Sequence, residues 1–509
     1  MARVAVMHEE KKHTRKWKQF FSEPPAKNQS LDNKLEIKKK YVFWRNSIFI
    51  TSYILYVIAY MARKNFSIAM PFMENEIGIN AADQGLILMV ASFVYGIGRF
   101  VNGSIADRGN VRVSLPINMI LAGGFNAAIA LTPFLVNTQQ LSHSAMVAYM
   151  CLFWGISSWY QSALFPYCAK SLIRWFPNAT RATWWANWST SHELGSFLAM
   201  NISLPIASLA YMCFGKYGLE AMFVVPFVFS LLIGIIGFFA LRDRPVSIGL
   251  PDVEKICETK LEALTEEEKK EQDLEDNLTY FQILKKHILY NKVMWNLALI
   301  YFCVYIFRMG PVDWIFKILV GEQPRFGNFH EAVKNIDNLA ALKSSMLCAI
   351  GFLGIFFAPI ISEKWFKGRR APANFWCLFV GAFSVIGIWL GSSPFSPVAN
   401  MPFWKNVVTF ISLGVAGFTV CVPQVLVGGI SAVESTSKKV AAAASGFTGF
   451  LGYFGASLSQ ALNGKVLSYS MGKYGDARLV LFYWGAISLV GALLCIPLWN
   501  VRARKEYSH

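Results

Sequence analysis

The sequence is poor in charge. Only 16% of its 509 residues are Asp, Glu, Lys or Arg, whereas a soluble globular protein carries about 25%. Hydrophobic residues make up 54% and aromatic residues 15%. This balance excludes an ordinary soluble domain and predicts a polytopic helical membrane protein, with the lipid bilayer as its first partner. The formal net charge of +17 does not predict nucleic-acid binding, because the basic residues gather in short stretches between apolar segments, a pattern of membrane topology.

Signatures of catalysis and of metal binding are also missing. The nine cysteines form no CxxC pair, and none stands at metal-ligand spacing from a histidine. No glycine-rich phosphate-binding loop is followed by Lys and Ser or Thr, so no built-in ATPase is predicted. We therefore expect no enzyme activity, cofactor or metal site, and energy must come from a gradient or from exchange. No secretory signal is visible, and the basic start predicts a cytosolic amino terminus.

Apolar segments of membrane-spanning length dominate what is present. Each has at least the ~20 residues that a bilayer requires, and they lie near 46–73, 84–104, 113–136, 144–172, 181–212, 219–241, 292–317, 339–362, 372–393, 402–432, 439–467 and 478–500. The boundaries that we predict are a basic cytoplasmic tail (1–44), an N-terminal six-helix half (45–241), a central cytoplasmic loop (242–291), a C-terminal six-helix half (292–500) and a cytoplasmic C-terminal tail (501–509). Two groups of six resemble the layout of the major facilitator fold, an all-α membrane architecture of twelve transmembrane helices.

Positive charge lies on alternate loops, which gives the predicted orientation. The loops after segments 2, 4, 8 and 10 and the carboxyl end are basic, whereas the loops after segments 1, 3 and 9 contain no Lys or Arg. Cytoplasmic loops of membrane proteins carry the excess of positive residues. Both termini are therefore predicted to be cytoplasmic.

Two of the basic turns resemble each other. Asp107 and Arg112 follow segment 2, and Glu363 precedes a run of cations after segment 8. The offset of about 256 residues between the two turns fits two parallel six-helix repeats. We predict that Asp107, Arg112 and Glu363 close a cytoplasmic gate; the alternative is that these are ordinary positive-inside loops.

Ionisable residues inside the predicted segments are the candidates for function. A charge at the centre of a membrane helix costs about 2.5–3.5 kcal/mol on insertion scales, so each needs a counter-ion or an aqueous path. In chain order they are Arg63, Lys64, Arg99, His192, Glu193, Arg308 and Asp313. We predict that they line a central pathway.

Arg63 is predicted to bind an anionic substrate. It is adjacent to Lys64, so the two side chains point about 100° apart on a helix, and Tyr56 and Tyr60 share the face of Arg63. Lys64 is therefore predicted to meet a carboxylate or backbone carbonyls. Arg308 is predicted to be the counterpart of Arg63 in the other half of the chain.

Arg63 and Arg308 together define the two-arginine clamp that we predict. A guanidinium is always charged and can hold two oxygens of a phosphate or carboxylate at once. Two halves that rock around the bound anion would give alternating access. The alternative is structural pairing of these arginines with carboxylates inside the bundle. His192 either donates to the anion or bonds between helices, and Arg99 either faces the anion or snorkels to the membrane surface.

Several long motifs carry a family resemblance. They are YMARKNFSIAMP at 60–71, FPYCAKSLIRWFP at 165–177, RATW at 181–184, WSTSH at 188–192, RMGPVDW at 308–314, KKVAAAASGFTG at 438–449 and GY at 452–453. From about residue 41 to 504 the chain resembles the organophosphate:phosphate antiporters of the major facilitator superfamily. The resemblance implies exchange of inorganic phosphate for glycerol-3-phosphate or a sugar phosphate such as hexose 6-phosphate. It also implies a bacterial inner-membrane location, and we expect a monomer.

The resemblance implies site residues as well. Arg63 and Arg308 look like the family's two phosphate-binding arginines. The other positions that match site or gating residues are Tyr56, Tyr60, Lys64, Arg99, His192, Asp313 and Tyr453. Three positions depart from the family: an indole becomes Phe165, a tyrosine becomes Cys421, and a segment 8 glutamate is absent near Cys348. We expect these departures to affect the organic part of the substrate.

Two motifs favour one branch of the family, and two other functions are alternatives to antiport. The run SGFTG at 445–449 and the Asp313–Trp314 pair lean toward the glycerol-3-phosphate branch. The first rival is a transporter-like sensor of external sugar phosphate that signals to a membrane kinase, which would suit the long basic tail. The second is a symporter of carboxylates or other anions.

Overall fold

The fold is entirely helical over the part of the chain that the computed structural model describes. That part comprises residues 21–27, 33–137, 142–215, 217–257, 282, 285–320, 338–392, 402–432, 435 and 441–501. Within these residues there is no β-strand, and the only extended pairing is an isolated bridge between Ser22 and Gly109. The central loop from 258 to 281, most of the basic tail and residues 502–509 lie outside them.

In the described residues, six long helices form the first half and six the second. They are α1 (Lys34–Ile77), α2 (Ala81–Arg108), α3 (Val111–Ala127), α4 (His143–Trp175), α5 (Asn178–Phe214), α6 (Gly218–Ala240), α7 (Lys292–Val320), α8 (Asn338–Ile360), α9 (Arg370–Gly391), α10 (Phe403–Val425), α11 (Ala441–Tyr474) and α12 (Arg478–Leu494). Each predicted apolar segment coincides with one of them. The helix α1 begins well before its apolar segment, at Lys34, where the Asn33 side chain accepts from the backbone N–H of Leu35.

Ten of these helices are long and apolar enough to cross a membrane. The two that fall short, α4 and α11, carry many Ser, Gly, Tyr and Gln residues. Both pack against α2, and α11 also packs against α7. Their polar composition therefore lies inside the bundle, where it is shielded from lipid.

The turn between α1 and α2 shows how local sequence sets the helix ends. Gly78 ends α1 with φ 69°, a left-handed conformation that glycine adopts without strain. Asn80 then caps α2, and its side chain and that of Asp83 bond reciprocally to each other's backbone N–H. The tight turn makes α1 and α2 antiparallel neighbours at what we call the distal face, the end of the bundle where α1 and α7 end. The opposite end, where α1 begins, is the tail face.

Among the described helices, the main contacts between the two halves are made by three helix pairs. Across the interface α2 packs on α11, α5 packs on α8, and α1 packs on α7. Since α2 corresponds to α8 and α5 to α11 in the two repeats, exchanging the halves interchanges the first two contacts. The third pair, α1 and α7, corresponds to itself, so Arg63 and Arg308 lie on helices related by this approximate two-fold symmetry.

A short strap, Phe21–Lys27, crosses the tail face. Its backbone bonds to the α2–α3 turn through the N–H of Asn110 to the carbonyl of Phe21 (2.8 Å) and the N–H of Glu23 to that of Arg108 (3.1 Å). The Glu23 carboxylate lies 2.8 Å from Arg174 Nη1 and 2.9 Å from Arg244 Nη1. Burial opposes ionisation of this carboxyl, but the Arg174 hydrogen bond and the nearby cations outweigh it and lower the Glu23 pKa.

The predicted cytoplasmic gate residues are not joined across the halves. Arg112 Nε donates to the Phe238 carbonyl, and the Asp107 carbonyl accepts from Lys170. Glu363 lies 3.7 Å from Arg370, in its own half. Among the described residues no ion pair joins the α2–α3 turn to the α8–α9 turn, so a gate at this face remains a prediction for another state.

Candidate functional site

Aromatic rings surround the middle of α1. The Tyr56 ring lies 5.3 Å from that of Tyr60 and 4.5 Å from that of Trp188 on α5, measured between centroids. Gly195 permits this contact, because a Cβ added there would lie 2.4 Å from the Val57 carbonyl oxygen. The close approach of α5 to α1 brings the polar middle of α5 beside the face that carries Arg63.

Arg63 lies on tyrosine rings. Its Cζ is 4.1 Å from the Tyr95 ring centroid, 5.6 Å from that of Tyr60 and 5.9 Å from that of Tyr453. Such contacts hold a guanidinium without neutralising it. In the residues that the structure describes, no carboxylate comes within 4.0 Å of Arg63.

Arg99 and Arg63 both lie near the ring of Tyr453. Its Cζ lies 4.4 Å from the Phe165 centroid and 5.7 Å from the Tyr453 centroid. The side chain therefore faces the interior of the bundle, and the snorkelling alternative does not describe this conformation. Across the described parts of the chain Arg99 has no ion pair either. The guanidinium groups of Arg63 and Arg99 thus lie 5.9 and 5.7 Å from the same ring, that of Tyr453, which is buried on α11.

Arg308 differs from both, because it is paired. Its Nη2 lies 3.1 Å from Oε1 of Glu193 on α5, and both side chains are almost completely buried. The buried Nε of Arg308 has no hydrogen-bond partner. Arg308 thus has a carboxylate that the sequence analysis did not assign to it, yet keeps donor capacity for a ligand.

His192 connects the two arginines. Its Nδ1 contacts the Ser189 carbonyl, and its Nε2 lies 3.3 Å from Glu193 Oε1 without forming a hydrogen bond. The imidazole centroid is 5.5 Å from that of Tyr60, which in turn contacts Arg63. The contacts therefore run from Arg63 through Tyr60, His192 and Glu193 to Arg308.

Lys64 turns away from this site and joins the halves nearer the distal face. Its ammonium contacts the Asp313 carboxylate of α7, as expected for a lysine that meets a carboxylate. Asp313 also accepts from Ser67 Oγ at 3.3 Å and from Gln460 Nε2. We call Lys64–Asp313 and the pair between Lys317 and Glu74 (2.5 Å) the distal latch, since each pair links α1 to α7.

All three positions that depart from the family motifs lie beside side chains of α5. Phe165, which lacks an indole N–H, packs 6.0 Å from the Trp188 ring, whose buried Nε1 has no acceptor. Glu193 supplies a carboxylate beside Cys348 and lies 3.6 Å from Cys421 Sγ. Sequence reasoning missed the roles of Trp188 and Glu193; the signal was their position within one turn and a half of His192.

The charge count describes what the site can hold. Three guanidinium groups, those of Arg63, Arg99 and Arg308, and one carboxylate, that of Glu193, leave a formal charge of +2. This matches the charge of a phosphate dianion. No group of three or more His, Cys, Asp or Glu residues suited to a metal ion occurs in the described ranges.

Residues 52–460 match the Major Facilitator Superfamily. The chain belongs to this superfamily. The family resemblance and the all-α fold are thereby confirmed, and the chain is a multi-pass membrane protein. Its similarity to a bacterial homologue of the human lysosomal transporter Spinster, in an inward-facing and unoccupied conformation, agrees in fold: the TM-score is 0.63 at 13% identity, over 90% of this chain and 95% of that one.

Three named relatives match along nearly their whole length. The probable hexose phosphate transport protein of Chlamydia pneumoniae is 30% identical over 97% of this chain and 99% of that protein. The membrane sensor protein UhpC of Salmonella typhimurium is 30% identical over 96% and 98%, respectively. The glycerol-3-phosphate transporter of Bacillus subtilis is 29% identical over 94% and 96%. Because the three identities are nearly equal, they do not separate the branches, and the preference for glycerol-3-phosphate stays a prediction.

Proposed function

We propose that the chain is a secondary-active antiporter that exchanges inorganic phosphate for an organophosphate, either a sugar phosphate or glycerol-3-phosphate. It works in a bacterial inner membrane as a monomer with both termini in the cytoplasm. The proposal draws on relatives named for hexose phosphate and glycerol-3-phosphate transport. The proposed mechanism follows from the charges of the site.

One observation carries the proposal: Arg63 and Arg99 meet at the Tyr453 ring and have no carboxylate partner in the described residues. Structural cations inside a bundle are paired with carboxylates or with backbone carbonyls, as Lys64 and Arg308 are with carboxylates here. Two unneutralised guanidinium groups beside a third with an open Nε favour an anionic ligand of charge −2.

Alternating access follows from the placement of these groups. Arg63 belongs to the first half and Arg308 to the second, so an anion held by both couples the halves. Without the anion the cations repel each other and resist closure; bound phosphate removes this repulsion and lowers the barrier to rocking. The distal latch holds one face closed, and its opening must accompany the closing of the tail face.

Proteoliposomes loaded with labelled phosphate test the exchange. We expect rapid efflux when external phosphate or an organophosphate is supplied, and little efflux into anion-free buffer. Fast efflux with no external anion would sink the antiport model. Liposomes with an Arg63→Gln variant provide the comparison, since this change removes one unpaired cation while preserving a polar side chain of similar length.

A sensor is the second candidate, favoured by the similarity to UhpC along almost the whole chain. Binding separates it from a transporter: purified protein that binds a sugar phosphate but moves none in proteoliposomes would be a sensor. A carboxylate symporter is the third candidate. Phosphate should compete for the site only if the substrate is a phosphate compound.

A further inference from the structure

Among the residues described, Glu193 is the one carboxylate in direct contact with an arginine of the site, Arg308. Its Oε1 lies 3.1 Å from Arg308 Nη2, 3.3 Å from His192 Nε2 and 3.6 Å from Cys421 Sγ. The side chain is only 2% exposed. Neither the latch nor the strap involves it, so its position calls for a role at the site.

We propose that Glu193 selects the substrate: it restricts the site to dianionic, hydroxyl-bearing phosphate esters and excludes phosphate esters that also carry a carboxylate. This inference rests on the proposed function and adds the chemical class of the organic part. It has two physical components, charge and hydrogen bonding.

The charge component follows from the formal charge of +2. A sugar phosphate or glycerol phosphate brings about −2 at neutral pH, which neutralises the site. A phosphoglycerate brings one further negative charge and places it near a buried carboxylate, where like charges are strongly unfavourable. Without Glu193 the same three arginines would carry +3 and match the phosphoglycerate instead.

The hydrogen-bonding component follows from groups that are not satisfied internally. Arg308 Nε and His192 Nε2 are buried and have no hydrogen-bond partner, and both residues contact Glu193. A carboxylate accepts from a hydroxyl, and the same hydroxyl oxygen accepts from a nitrogen donor. Because His192 Nδ1 faces the Ser189 carbonyl, the neutral imidazole presents Nε2 as an acceptor. One donor, Arg308 Nε, beside two acceptors, His192 Nε2 and the Glu193 carboxylate, therefore suits the hydroxyls of a polyol, whereas a second carboxylate could use only the donor.

A competition assay tests this selection. Labelled phosphate exchange is inhibited in turn by glucose 6-phosphate and 3-phosphoglycerate, and the ratio of the two inhibition constants is compared between wild type and Glu193→Gln. We expect wild type to favour glucose 6-phosphate at least tenfold and the variant to reduce that ratio at least tenfold. Glu36→Gln, which neutralises an exposed carboxylate in the first turn of α1, is the matched control and should leave the ratio unchanged.

The outcomes separate this inference from the proposed function. Wild type that neither exchanges nor binds phosphate defeats the proposed function. If the Glu193→Gln variant exchanges phosphate but keeps the wild-type ratio of inhibition constants, the proposed selection by Glu193 is overturned and the proposed function stands. If the neutral variant does not fold, Glu193→Asp decides: its charge should still exclude phosphoglycerate, while its shorter reach should weaken competition by glucose 6-phosphate severalfold. An aspartate variant with the wild-type constants for both esters would also overturn the inference.

Discussion

At the scale of single residues, Arg308 has two tasks. It meets Glu193 through Nη2 and leaves Nε open. A planar guanidinium can satisfy a carboxylate and a phosphate in fixed directions, whereas an ammonium acts as a point charge. The residue type, and not only its charge, should therefore be essential.

The change Arg308→Lys should abolish phosphate exchange while preserving folding, because the lysine still balances Glu193. Labelled phosphate uptake into loaded proteoliposomes measures the first effect, and thermal unfolding in detergent measures the second. Arg478→Lys is the control, since Arg478 pairs with Asp476 at 2.8 Å in a half-exposed site away from the clamp. Near-normal uptake by the Arg308 variant would count against the clamp.

The sequence reveals charged residues inside apolar segments, but it does not reveal partners that helix packing brings together. Arg63, Lys64 and Asp313 were visible because each is a charge inside an apolar segment. Helix geometry predicted that Lys64 points away from the ligand and meets a carboxylate or backbone carbonyls, and in the structure its partner is Asp313. The partner of Arg308 could not be predicted, because Glu193 is 115 positions away and its approach depends on how α5 packs against the second half of the chain, where it contacts α8.

At the scale of elements, the helices were more predictable than the segments between them. The apolar segments predicted from the sequence coincide with the twelve long helices of the described residues, including α4 and α11, which are less apolar than the other ten. A membrane-spanning segment must satisfy its backbone bonds internally, so such segments form helices. The strap was not predicted: Phe21–Lys27 is short, contains two prolines and has no periodicity. Its position depends on backbone bonds to residues about 85 and 220 positions away, which no local pattern reveals.

The strap should detach in acid. The carboxyl of Glu23 has an ordinary pKa of 4.5 that the cations lower, so its ion pairs contribute fully above pH 4.5 and are lost as the pH falls through the lowered value. Hydrogen exchange of the Glu23 and Asn110 amides, corrected for its intrinsic pH dependence, should show protection at pH 6 that is lost at the acid end.

Glu23→Gln is the control for the acid effect. It should show weaker protection of the same two amides at every pH and no acid transition of its own. Equal acid transitions in wild type and variant would assign the effect to another group, and constant protection in wild type would show that the ion pairs do not hold the strap.

At the scale of the whole molecule, the two halves are related by an approximate two-fold symmetry in helix packing, but their charges are not. The first half contributes Arg63, Arg99 and Glu193, while the second contributes Arg308. The repeat predicted the matching helices, and the asymmetry came from individual side chains. A repeat pattern therefore predicts where the halves meet, whereas the ligand depends on residues that the repeats do not share.

The formal charge of +2 at the site has an electrical consequence. If one dianion leaves for each dianion that enters, the loaded site carries no net charge in either direction, and a full cycle moves none across the bilayer. Each uncompensated charge would couple to voltage by about 2.3 kcal/mol per 100 mV. At pH 8, exchange of phosphate for glucose 6-phosphate should thus run at the same rate with and without a valinomycin-induced potassium potential. A rate that changed severalfold with the sign of that potential would reveal unequal charges. Equal rates would mean that the chemical gradients of the two phosphate compounds, and not the energy stored in the membrane potential, determine the direction of transport.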